Sequence, residues 1–586
     1  MDKNALEARV TRRNFLKMAG IGTVAITALG GASGILAGCN ASSEQPDWDL
    51  TTDVVIVGSG AAALAAAVTA RNQGASVVML EKSSVIGGTT AKSGGVAWIP
   101  NNFALRNQGI QDNKDDCLRL MAHSAYPQIY NANDSNFGLP QHEYNLLAAF
   151  YDNSYKAIDH FMEIGACQFT QASLLPDYVD HAAENKVLRG RGVSPMSPTG
   201  VGYGSELIRQ MSDWINSHNI QVLTGHQVTQ IVLNDKHEVT GVVATTTGND
   251  TQAVQARKAV IFGSGGFTHN PELIIQFQPG PLYGGCAVIT NEGDFVYLAQ
   301  SAGAQLSSMN TAWNAEIPLE PALQSPSTPN DIWQPAGDSM VLVNKYGLRV
   351  VNEKRSYNDR TKVHFYWDPV EQEYVNQILL MIYDQRSLDL YAGAPGGYPM
   401  PAPGTSAPHQ ISGQTLSELG QNIRARIDQI AEGIGSWRLD SSFENNLEAT
   451  VNRFNDFAST GIDLDFKRGA FPYDVEWHEN VFSTPAQDTD WPLNDKPNIT
   501  MYPFASEGPY YCILIAAGTL DTCGGPRTNG LAQVLDTKEN PIPGLYGAGN
   551  CIAAPTRYYF GGGATIGPAL AFGYIAGINA VNEPVR

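Results

Sequence analysis

Residues 53–95 read DVVIVGSGAAALAAAVTARNQGASVVMLEKSSVIGGTTAKSGG, and this stretch decides the fold. The short apolar, β-branched run at 54–57 predicts a buried strand. An Ala- and Val-rich helix is expected after it, ending near Gly74, and a second strand follows at 76–80. Strand, helix and strand in this order predict a βαβ unit, which places the chain in the α/β class.

The turn between the first strand and the helix carries a dinucleotide-binding fingerprint. Gly58 permits the tight turn, Gly60 lets a pyrophosphate approach the backbone, and Ala63 lets helix and strand pack closely. The helix N-terminus adds free N–H groups and a partial positive charge. Glu81 ends the second strand, 21 residues beyond Gly60, where an acidic residue accepts ribose hydroxyls. The sequence therefore predicts a Rossmann-like dinucleotide site.

A second glycine-rich run, at 87–95, favours FAD over NAD as the dinucleotide. The run is too rich in glycine for an ordinary helix. Small residues let the backbone lie along an extended cofactor, while the hydroxyls of the run reach phosphate and flavin atoms. Taken alone, the same run is also compatible with a flexible surface loop.

Composition limits the classes of function that the chain can have. The 586 residues, 43% of them hydrophobic, are enough for a large core and for two or more domains. The formal net charge of −20 repels nucleic acid and anionic membrane surfaces, so neither is an expected partner. Seven cysteines occur without a CxxC or CxxCH pattern, which predicts no metal site, covalent haem or iron–sulfur cluster. Their scattered spacing favours buried free thiols over a disulfide framework.

The first 39 residues are expected to be an export signal rather than part of the fold. Residues 11–17, TRRNFLK, form a twin-arginine signal, and an apolar segment follows at 18–37. The sequence LAGC, ending at Cys39, resembles a bacterial lipobox, which predicts a protein of the periplasm or cell envelope anchored by a lipid on Cys39. Residues 40–48 read as a short polar tether. A transmembrane anchor is the alternative, but the small-residue site fits a signal better.

The rest of the chain predicts a cofactor domain interrupted by a second domain. Residues 49–280 and 506–586 are assigned to the FAD-binding domain, and residues 281–505 to an α+β catalytic domain that caps the substrate. A small β-meander is expected at 221–244. Residues 394–408, APGGYPMPAPGTSAP, predict a loop without regular structure, which is either a lid or a surface excursion.

Another glycine-rich turn precedes an apolar helix near the end of the chain. Residues 544–550 read as a short strand that breaks into a turn, and residues 561–567 open a helix expected to reach about Ala580. Pro568 is acceptable within the first turn, where its missing N–H is no loss. A helix N-terminus aimed at a flavin would stabilise negative charge on the reduced ring.

By these residues the chain resembles the fumarate reductase/succinate dehydrogenase flavoprotein superfamily, and within it the 3-ketosteroid dehydrogenases. The resemblance covers most of residues 50–582 and is strongest at 53–100, 508–530 and 544–573. It implies a Rossmann-like FAD-binding domain split in sequence by a catalytic domain, with the substrate between the two against the flavin.

The resemblance also implies roles for individual residues. Tyr559 and the backbone N–H of Gly563 match the pair that polarises the 3-keto oxygen. Tyr357, after the Asn352–Glu353 dipeptide, matches the base that removes a proton from carbon 2. Tyr178 lies in the segment that supplies a supporting hydroxyl, although His181 is an alternative there.

The residues expected to hold FAD belong to the three glycine-rich segments and to the strand and helix ends near them. They are Gly58, Gly60, Ala62, Ala63, Glu81, Lys82, Gly88, Thr89, Thr90, Ser93, Gly94, Gly95, Val228, Gly265, Asp294, Asn550, Ala564, Thr565 and Ile566.

The resemblance implies the desaturation of a cyclic ketone such as a 3-ketosteroid. The reaction needs polarisation of the ketone, a base for the acidified proton and a hydride acceptor. A tyrosine base needs its pKa lowered from about 10, and Arg355 would contribute if it points inward. Residues 560–562 read Phe-Gly-Gly where the related enzymes have Pro-Gly-Pro. The exact substrate, the carbon attacked and the direction of the reaction therefore stay open.

Two other functions compete with this one. The first is a periplasmic reductase of fumarate- or urocanate-like acids, which would need cations to grip carboxylates; Arg557 alone is a thin basis for that. The second is an exported flavoprotein that binds a ligand or carries electrons without turnover. In every case the electron acceptor is expected to be external, such as a quinone or another envelope redox protein.

Overall fold

The computed structural model describes residues 45–586 except 173, 394–397, 403 and 487–488. The predicted twin-arginine signal, the lipobox with Cys39 and the first part of the tether lie outside the described residues. So does part of the predicted loop at 394–408. Within the described ranges, no helix has the length and apolar character needed to cross a membrane.

The strands are numbered along the chain, beginning with the one that precedes the first glycine-rich turn. In chain order they are β1 Leu50–Val57, β2 Val77–Glu81, β3 Ala97–Trp98, β4 Phe169–Gln171, β5 Gly192–Ser197, β6 Gly200–Val201, β7 Gln221–Thr224, β8 His226–Leu233, β9 Val239–Thr246, β10 Thr251–Phe262, β11 Leu306–Ser307, β12 Ala312–Pro318, β13 Met340–Val343, β14 Trp367–Asp368, β15 Glu373–Tyr374, β16 Ile378–Asp384, β17 Ile411–Gly413, β18 Tyr510–Thr522, β19 Gly525–Pro526, β20 Gln533–Leu535 and β21 Pro541–Gly547.

The α-helices range from single turns to six turns. They are α1 Ala61–Asn72, α2 Gly88–Lys92, α3 Phe103–Asn107, α4 Lys114–Ala125, α5 Gln141–Glu163, α6 Gly204–Ser217, α7 Pro271–Phe277, α8 Asp294–Ser301, α9 Leu319–Gln324, α10 Tyr357–Arg360, α11 Gln385–Tyr391, α12 Leu416–Gln429, α13 Ala431–Ile434, α14 Phe443–Thr460, α15 Pro472–Trp477 and α16 Ile566–Val581. Short 3₁₀ turns occupy Thr361–Phe365 and Gly549–Cys551, and a π turn occupies His478–Phe482.

An eight-stranded sheet is built from both ends of the described chain. Its strand order is β20-β21-β10-β1-β2-β7, with β9 paired to β10 and β8 paired to β9. The strands β21, β10, β1, β2 and β7 run parallel, whereas β20, β9 and β8 pair antiparallel. Because the carboxyl ends of β1, β2 and β10 meet at one edge, the loops that follow them share one crevice. The predicted α/β class is confirmed.

A second sheet of five antiparallel strands comes from the middle of the chain. Its order is β12-β18-β16-β13, and β17 also pairs with β18. Every residue of β16, ILLMIYD, is buried, because both faces of the sheet are covered. Helices α12 and α14 pack on one face through Ile423, Leu447 and Phe454. Strand β18 belongs to this sheet although residues 506–586 were assigned to the FAD-binding domain; the domain boundaries stay predictions.

Two local predictions differ from the structure. Residues 221–224 form β7, which is not part of a meander: it pairs parallel with β2, with Gln221 opposite Val78. The preceding helix α6 supplies the crossover that a parallel edge strand needs. The run after Gly87 forms the one-turn helix α2, where no helix was expected. Gly87 has a φ of +109°, and its carbonyl accepts a hydrogen bond from the Ala91 N–H at 3.2 Å, which closes the turn.

The first and last long helices pack closely over the parallel sheet. A Cβ added at Gly573 of α16 would lie 2.9 Å from the Cβ of Ala65, and one at Gly577 would lie 2.7 Å from the Cβ of Thr69. These spacings require glycine on α16. The six cysteines of the described chain are free, and all except Cys286 are buried, as predicted.

We expect Gly58→Ala to cost both stability and bound flavin. Gly58 has a φ of +103°, and an added Cβ would lie 2.5 Å from the Gly263 carbonyl oxygen. Gly74→Ala is the matched control, because Gly74 has a φ of +90° but no atom within 4 Å of an added Cβ. The control should cost about 1 kcal/mol through backbone strain alone. Thermal unfolding and flavin absorbance per chain measure the difference, and equal losses in the two variants would contradict the prediction.

Candidate active site

A cleft runs between the carboxyl edge of the parallel sheet and the end of β18. Its lining includes the turn after β1, the glycine-rich run around α2, the loop after β10 and the N-terminus of α16. Elements distant in sequence thus converge on one elongated space, as expected for a doubly wound sheet.

Side-chain hydrogen bonds fix the nucleotide end of the cleft. The Ser59 hydroxyl donates to Glu81 Oε2 at 2.6 Å and accepts from the Gly87 N–H at 2.9 Å. The Thr90 hydroxyl accepts from the Ala61 N–H at 3.1 Å. Burial raises the pKa of Glu81, although the hydrogen bond from Ser59 opposes this effect. The two glycine-rich segments are therefore tied together at the acid that was expected to bind ribose.

A charged cluster lies beside Glu81 at the same end. Lys82 forms ion pairs with Glu292 and with Asp294, the latter at 3.1 Å. Asp294 begins α8 and also accepts from the Gln227 amide at 2.9 Å. Lys82, Asp294 and Val228 all line the cleft.

The buried carboxylate of Asp521, near the end of β18, forms hydrogen bonds to several segments that meet in the middle of the cleft. Its Oδ2 accepts from the Gly266 N–H at 2.9 Å, from the Asn291 amide at 2.7 Å and from the Asn550 amide at 3.2 Å. Its Oδ1 accepts from the Thr268 hydroxyl at 2.9 Å. Burial raises the pKa of Asp521, whereas these donors lower it. One side chain thereby positions the turns after β10 and after β21.

Three tyrosines from distant segments meet at the far end of the cleft. The hydroxyls of Tyr178 and Tyr357 lie 3.2 Å apart. The ring of Tyr559 stacks on Tyr178 with centroids 5.7 Å apart and meets the edge of Tyr357 at 5.4 Å. Exposure is 4% for Tyr178, 5% for Tyr357 and 3% for Tyr559. The Tyr178 N–H also donates to the Phe560 carbonyl at 2.9 Å, which ties the first segment to the third.

The surroundings of the three phenols give them different pKa values. Burial raises the pKa of Tyr559 to about 12, and it goes no higher because the Tyr357 hydroxyl, the Gly563 N–H and the Thr565 hydroxyl oppose the effect. Burial and then the neighbouring phenols raise the pKa of Tyr357 and of Tyr178 well above 10. Tyr559 is thus the most acidic phenol of the three, and an acidic phenol is a strong hydrogen-bond donor.

Arg355 organises the tyrosine cluster from outside. Its guanidinium pairs with Asp180 at 2.8 Å and with Asp474 at 3.0 Å, so its charge is neutralised there. Asp180 also accepts from the Tyr473 N–H at 2.7 Å. The side chain of His181 is 61% exposed, and His181 is not part of the cleft lining. Tyr178, rather than His181, therefore faces Tyr357.

The cleft brings together most residues predicted from the sequence. All four proposed catalytic residues line it, and so do the proposed cofactor residues except Ala63 and Ala564. Ala63 packs instead under the loop after β10, where a Cβ added at Gly263 would lie 2.8 Å from its nitrogen. Ala564 is buried within the turn before α16.

Several lining residues were missed by the sequence analysis. They are Ser59, Cys286, Asn291, Asp331, Trp333, Trp477, Phe482 and Asp521. Ser59 stands within the dinucleotide fingerprint and Asp521 within the 508–530 segment that carried the resemblance, so both could have been found. The others lie in segments without a recognisable pattern.

The cleft fits an extended flavin dinucleotide. Helices α1 and α16 both begin in it, and neither receives a side-chain hydrogen bond from its own N-cap residue. Because the Ala61 N–H of α1 already donates to Thr90, only first-turn N–H groups without such a partner remain for anionic groups. Glycine backbone contributes to the lining of the cleft at several points, among them Gly58, Gly94, Gly265 and Gly563. The buried Ser264 hydroxyl lines it without a hydrogen-bond partner.

The chain matches the FAD binding domain family over residues 53–566. It belongs to that family. A 4-oxocyclohexanecarboxylate 2-dehydrogenase from Sinomonas cyclohexanicum is 30% identical, over 90% of this chain and 92% of its own length. A 3-oxosteroid 1-dehydrogenase from Mycolicibacterium smegmatis is 29% identical, over 90% of this chain and 96% of its own.

Structural comparison agrees with the sequence matches. A 3-ketosteroid Δ1-dehydrogenase from Sterolibacterium denitrificans shares the fold with a TM-score of 0.73 and 22% identity, over 91% of this chain and 99% of that chain. The resemblance inferred from the sequence is confirmed, and the family member described here is an FAD-dependent oxidoreductase.

We expect Asp521→Asn to loosen the cleft. An amide retains one acceptor oxygen, so it cannot satisfy the donors that now converge on both carboxylate oxygens. The loss in unfolding free energy should be about 2 kcal/mol, and FAD content should fall. Asp456→Asn, on an exposed site of α14, is the control. Chemical unfolding and flavin release on dilution check the prediction, which a wild-type FAD content would contradict.

Proposed function

We propose that this enzyme dehydrogenates the ring of a cyclic ketone, a 3-ketosteroid or a similar compound, beside its carbonyl group. The observation that carries the proposal is the meeting of Tyr178, Tyr357, Tyr559 and Gly563 at the far end of the FAD cleft. Support also comes from relatives whose names describe dehydrogenases of ring compounds with an oxo group.

Each step of the proposed reaction is assigned to a particular group of the chain. The Tyr559 hydroxyl and the Gly563 N–H would donate to the ketone oxygen and stabilise negative charge that develops there. Tyr357 would take the proton from the carbon beside the carbonyl, whose acidity that polarisation increases. The Tyr178 hydroxyl, 3.2 Å from Tyr357, would donate to the ionised base. Bound FAD supplies the acceptor for the hydride that leaves the neighbouring ring carbon.

The cations of the described residues are poorly placed for a carboxylate-gripping reductase. No arginine among them lines the cleft. Lys82 and Lys92 do line it, but Lys82 is paired with Glu292 and Asp294, and Lys92 donates to the Thr328 carbonyl. Arg349 pairs with Glu353 and Asp463, each within 2.9 Å. Arg557 lies over the ring of Tyr126, 5.3 Å from its centroid. The geometry thus favours a neutral ketone over fumarate or urocanate.

Anaerobic mixing with cyclic ketones tests the proposal. Substrates should bleach the flavin absorbance in proportion to the ketone added, and the product should carry a new ring double bond by mass spectrometry. Fumarate should not reoxidise the reduced protein. If no ketone bleaches the flavin while fumarate or urocanate reoxidises it, the enoate reductase is the better reading. If no ketone bleaches the flavin and neither acid reoxidises it, the protein is better explained as a non-catalytic flavoprotein.

We expect Tyr357→Phe to lower the rate of flavin reduction by about 10²–10⁴-fold, the range typical of a lost general base. Tyr473→Phe is the matched control. Its ring packs on Tyr178 with centroids 5.0 Å apart, but its hydroxyl is buried without a hydrogen-bond partner and Tyr473 does not line the cleft. Both variants should retain FAD. A Tyr357→Phe variant that reduces flavin at the rate of the control would overturn the assignment of the base.

The activity should rise with pH. Since burial and neighbouring phenols raise the pKa of Tyr357 well above 10, its ionised fraction increases about tenfold per pH unit between about pH 7 and pH 10. The logarithm of kcat/KM should follow with a slope near one. A flat profile across this interval would show that ionisation of a phenol does not limit the reaction.

We further propose that the protein is exported through the twin-arginine route and anchored by a lipid on Cys39, and that it passes electrons to a quinone or an envelope redox protein. The support is the sequence of residues 11–39. Replacing both Arg12 and Arg13 by Lys should retain the protein in the cytoplasm, and Cys39→Ser should release it from membranes. Unchanged cell fractionation of either variant would contradict the proposal.

A further inference from the structure

Beyond the tyrosine cluster, an aromatic wall continues the cleft. The indole of Trp477 lies 5.8 Å from the ring of Tyr178, and Phe482 stacks on Trp477 at 5.7 Å. Trp333 meets the edge of Phe482 at 6.4 Å. All of these residues line the cleft. The wall is the apolar surface that the carbon skeleton of a ring compound would contact.

The buried carboxyl group of Asp331 belongs to the same cleft lining, two residues before Trp333. Asp331 is 4% exposed and lines the cleft. Its Oδ1 accepts from the Thr328 hydroxyl at 3.2 Å, whereas its Oδ2 is buried and meets no donor at hydrogen-bond geometry. The thiol and N–H of Cys286 lie near enough to lower the pKa of the carboxyl without satisfying this oxygen. Buried polar atoms are normally paired, so an unpaired oxygen in a ligand cleft points to a donor supplied by the ligand.

The backbone on both sides of Asp331 holds the carboxyl in place. The Thr328 N–H donates to the Gly285 carbonyl at 2.9 Å, and the Ile332 N–H donates to the Glu316 carbonyl at 2.7 Å. The Ile332 carbonyl also accepts from the buried Arg360 guanidinium at 2.9 Å. These bonds fix the backbone on both sides of Asp331, and the Thr328 hydroxyl holds Oδ1, so the buried carboxyl keeps its place in the cleft lining.

The charges around Asp331 leave its negative charge largely uncompensated. The ionisable groups that face it are Lys92, Cys286 and Tyr398. Lys92 is exposed and donates to the Thr328 carbonyl at 3.1 Å. Burial raises the pKa of Asp331 to about 7, against the smaller opposing effects of Cys286, Thr328 and Lys92. A second carboxylate placed here would meet repulsion and find no arginine in the lining.

Building on the proposed function, we propose that Asp331 selects the substrate by its remote end. It accepts a hydrogen bond from a hydroxyl group that the ring compound carries away from the reacting ketone, and it rejects compounds that carry a carboxylate there. Asp331 touches substrate only at this remote group, so it determines specificity without taking part in proton or hydride transfer. A buried acceptor built for a hydroxyl discriminates strongly against analogues that lack it.

Matched ketone pairs test this assignment. Each pair differs by one hydroxyl: 4-hydroxycyclohexanone against cyclohexanone for one ring, and a 17-hydroxy-3-ketosteroid against its 17-deoxy analogue for four rings. The carboxylated probe is 4-oxocyclohexanecarboxylate. Flavin reduction is followed anaerobically at about pH 8.5, above the pKa of about 7 of Asp331. The wild-type enzyme should favour the hydroxylated member of at least one pair by about 10-fold or more in kcat/KM.

Two substitutions separate the acceptor from the charge. Asp331→Leu removes both, so it should abolish the preference for the hydroxylated member of each pair, measured as the ratio of the two kcat/KM values. Asp331→Asn keeps an acceptor oxygen but removes the charge, so it should retain part of the hydroxyl preference and raise turnover of the carboxylated ketone by about 10-fold. The exposed Asp456→Asn variant should change neither ratio. If Asp331→Leu does not fold, turnover of the carboxylated ketone by Asp331→Asn, compared with wild type, still tests the proposal.

The outcomes distinguish this inference from the proposed function. A hydroxyl preference that is absent in the wild type, or unchanged in Asp331→Leu, overturns the role of Asp331 while ketone oxidation stands. If no ketone reduces the flavin, the proposed function fails, and binding of the same pairs is then compared through perturbation of the flavin spectrum. Tighter binding of the hydroxylated member that depends on Asp331 would support the assignment; equal binding in wild type and Asp331→Leu would overturn it.

Discussion

The carboxylate of Asp521 joins the two sheets of this protein, and the cleft depends on that junction. Asp521 lies near the end of β18 in the antiparallel sheet, yet it accepts hydrogen bonds from Gly266 and Thr268, just after β10 of the parallel sheet. Asn291, Asn550 and the N–H of Thr522 complete the set. A buried carboxylate with five donors is most stable when all of them are in place, since each unpaired member leaves a desolvation cost. The alignment of the two sheets and the integrity of the flavin site are therefore one structural requirement.

The pKa values of the three tyrosines depend on a second balance, between burial, which raises them, and hydrogen-bond donors, which lower them. Three phenols in a dry site resist ionisation, which suits a donor more than a base. Tyr559 is made more acidic than its neighbours by the Gly563 N–H and the Thr565 hydroxyl. Tyr357 has no comparable help and keeps a high pKa. A high pKa makes the Tyr357 phenolate scarce but strongly basic, and an acidic donor at the ketone oxygen would increase the acidity of the C–H bond that the phenolate must deprotonate.

Much of the cofactor site was predictable because its signal is local. The fingerprint, the strand that ends on Glu81 and the helix after Gly563 lie within short stretches whose spacing determines their geometry. Tyr178 and Tyr357 are different: their hydroxyls meet across 179 residues, so only resemblance to known enzymes suggested the pairing. Asp331 and Trp333 lie in a segment without periodicity, and nothing local marks them. The edge position of β7 was missed because short apolar runs do not reveal the direction of pairing.

The separation between the tyrosines and the aromatic wall bears on how the enzyme can diversify. The groups expected to move protons are held by the glycine turn before α16, by the start of α10 and by Arg355. Trp333, by contrast, lies on an irregular segment outside that framework, and Phe482 ends the π turn His478–Phe482. After gene duplication, drift in these segments would alter which molecules are accepted without disturbing the steps that transform them. Paralogues of such a chain would then come to accept different substrates chiefly through substitutions along the aromatic wall.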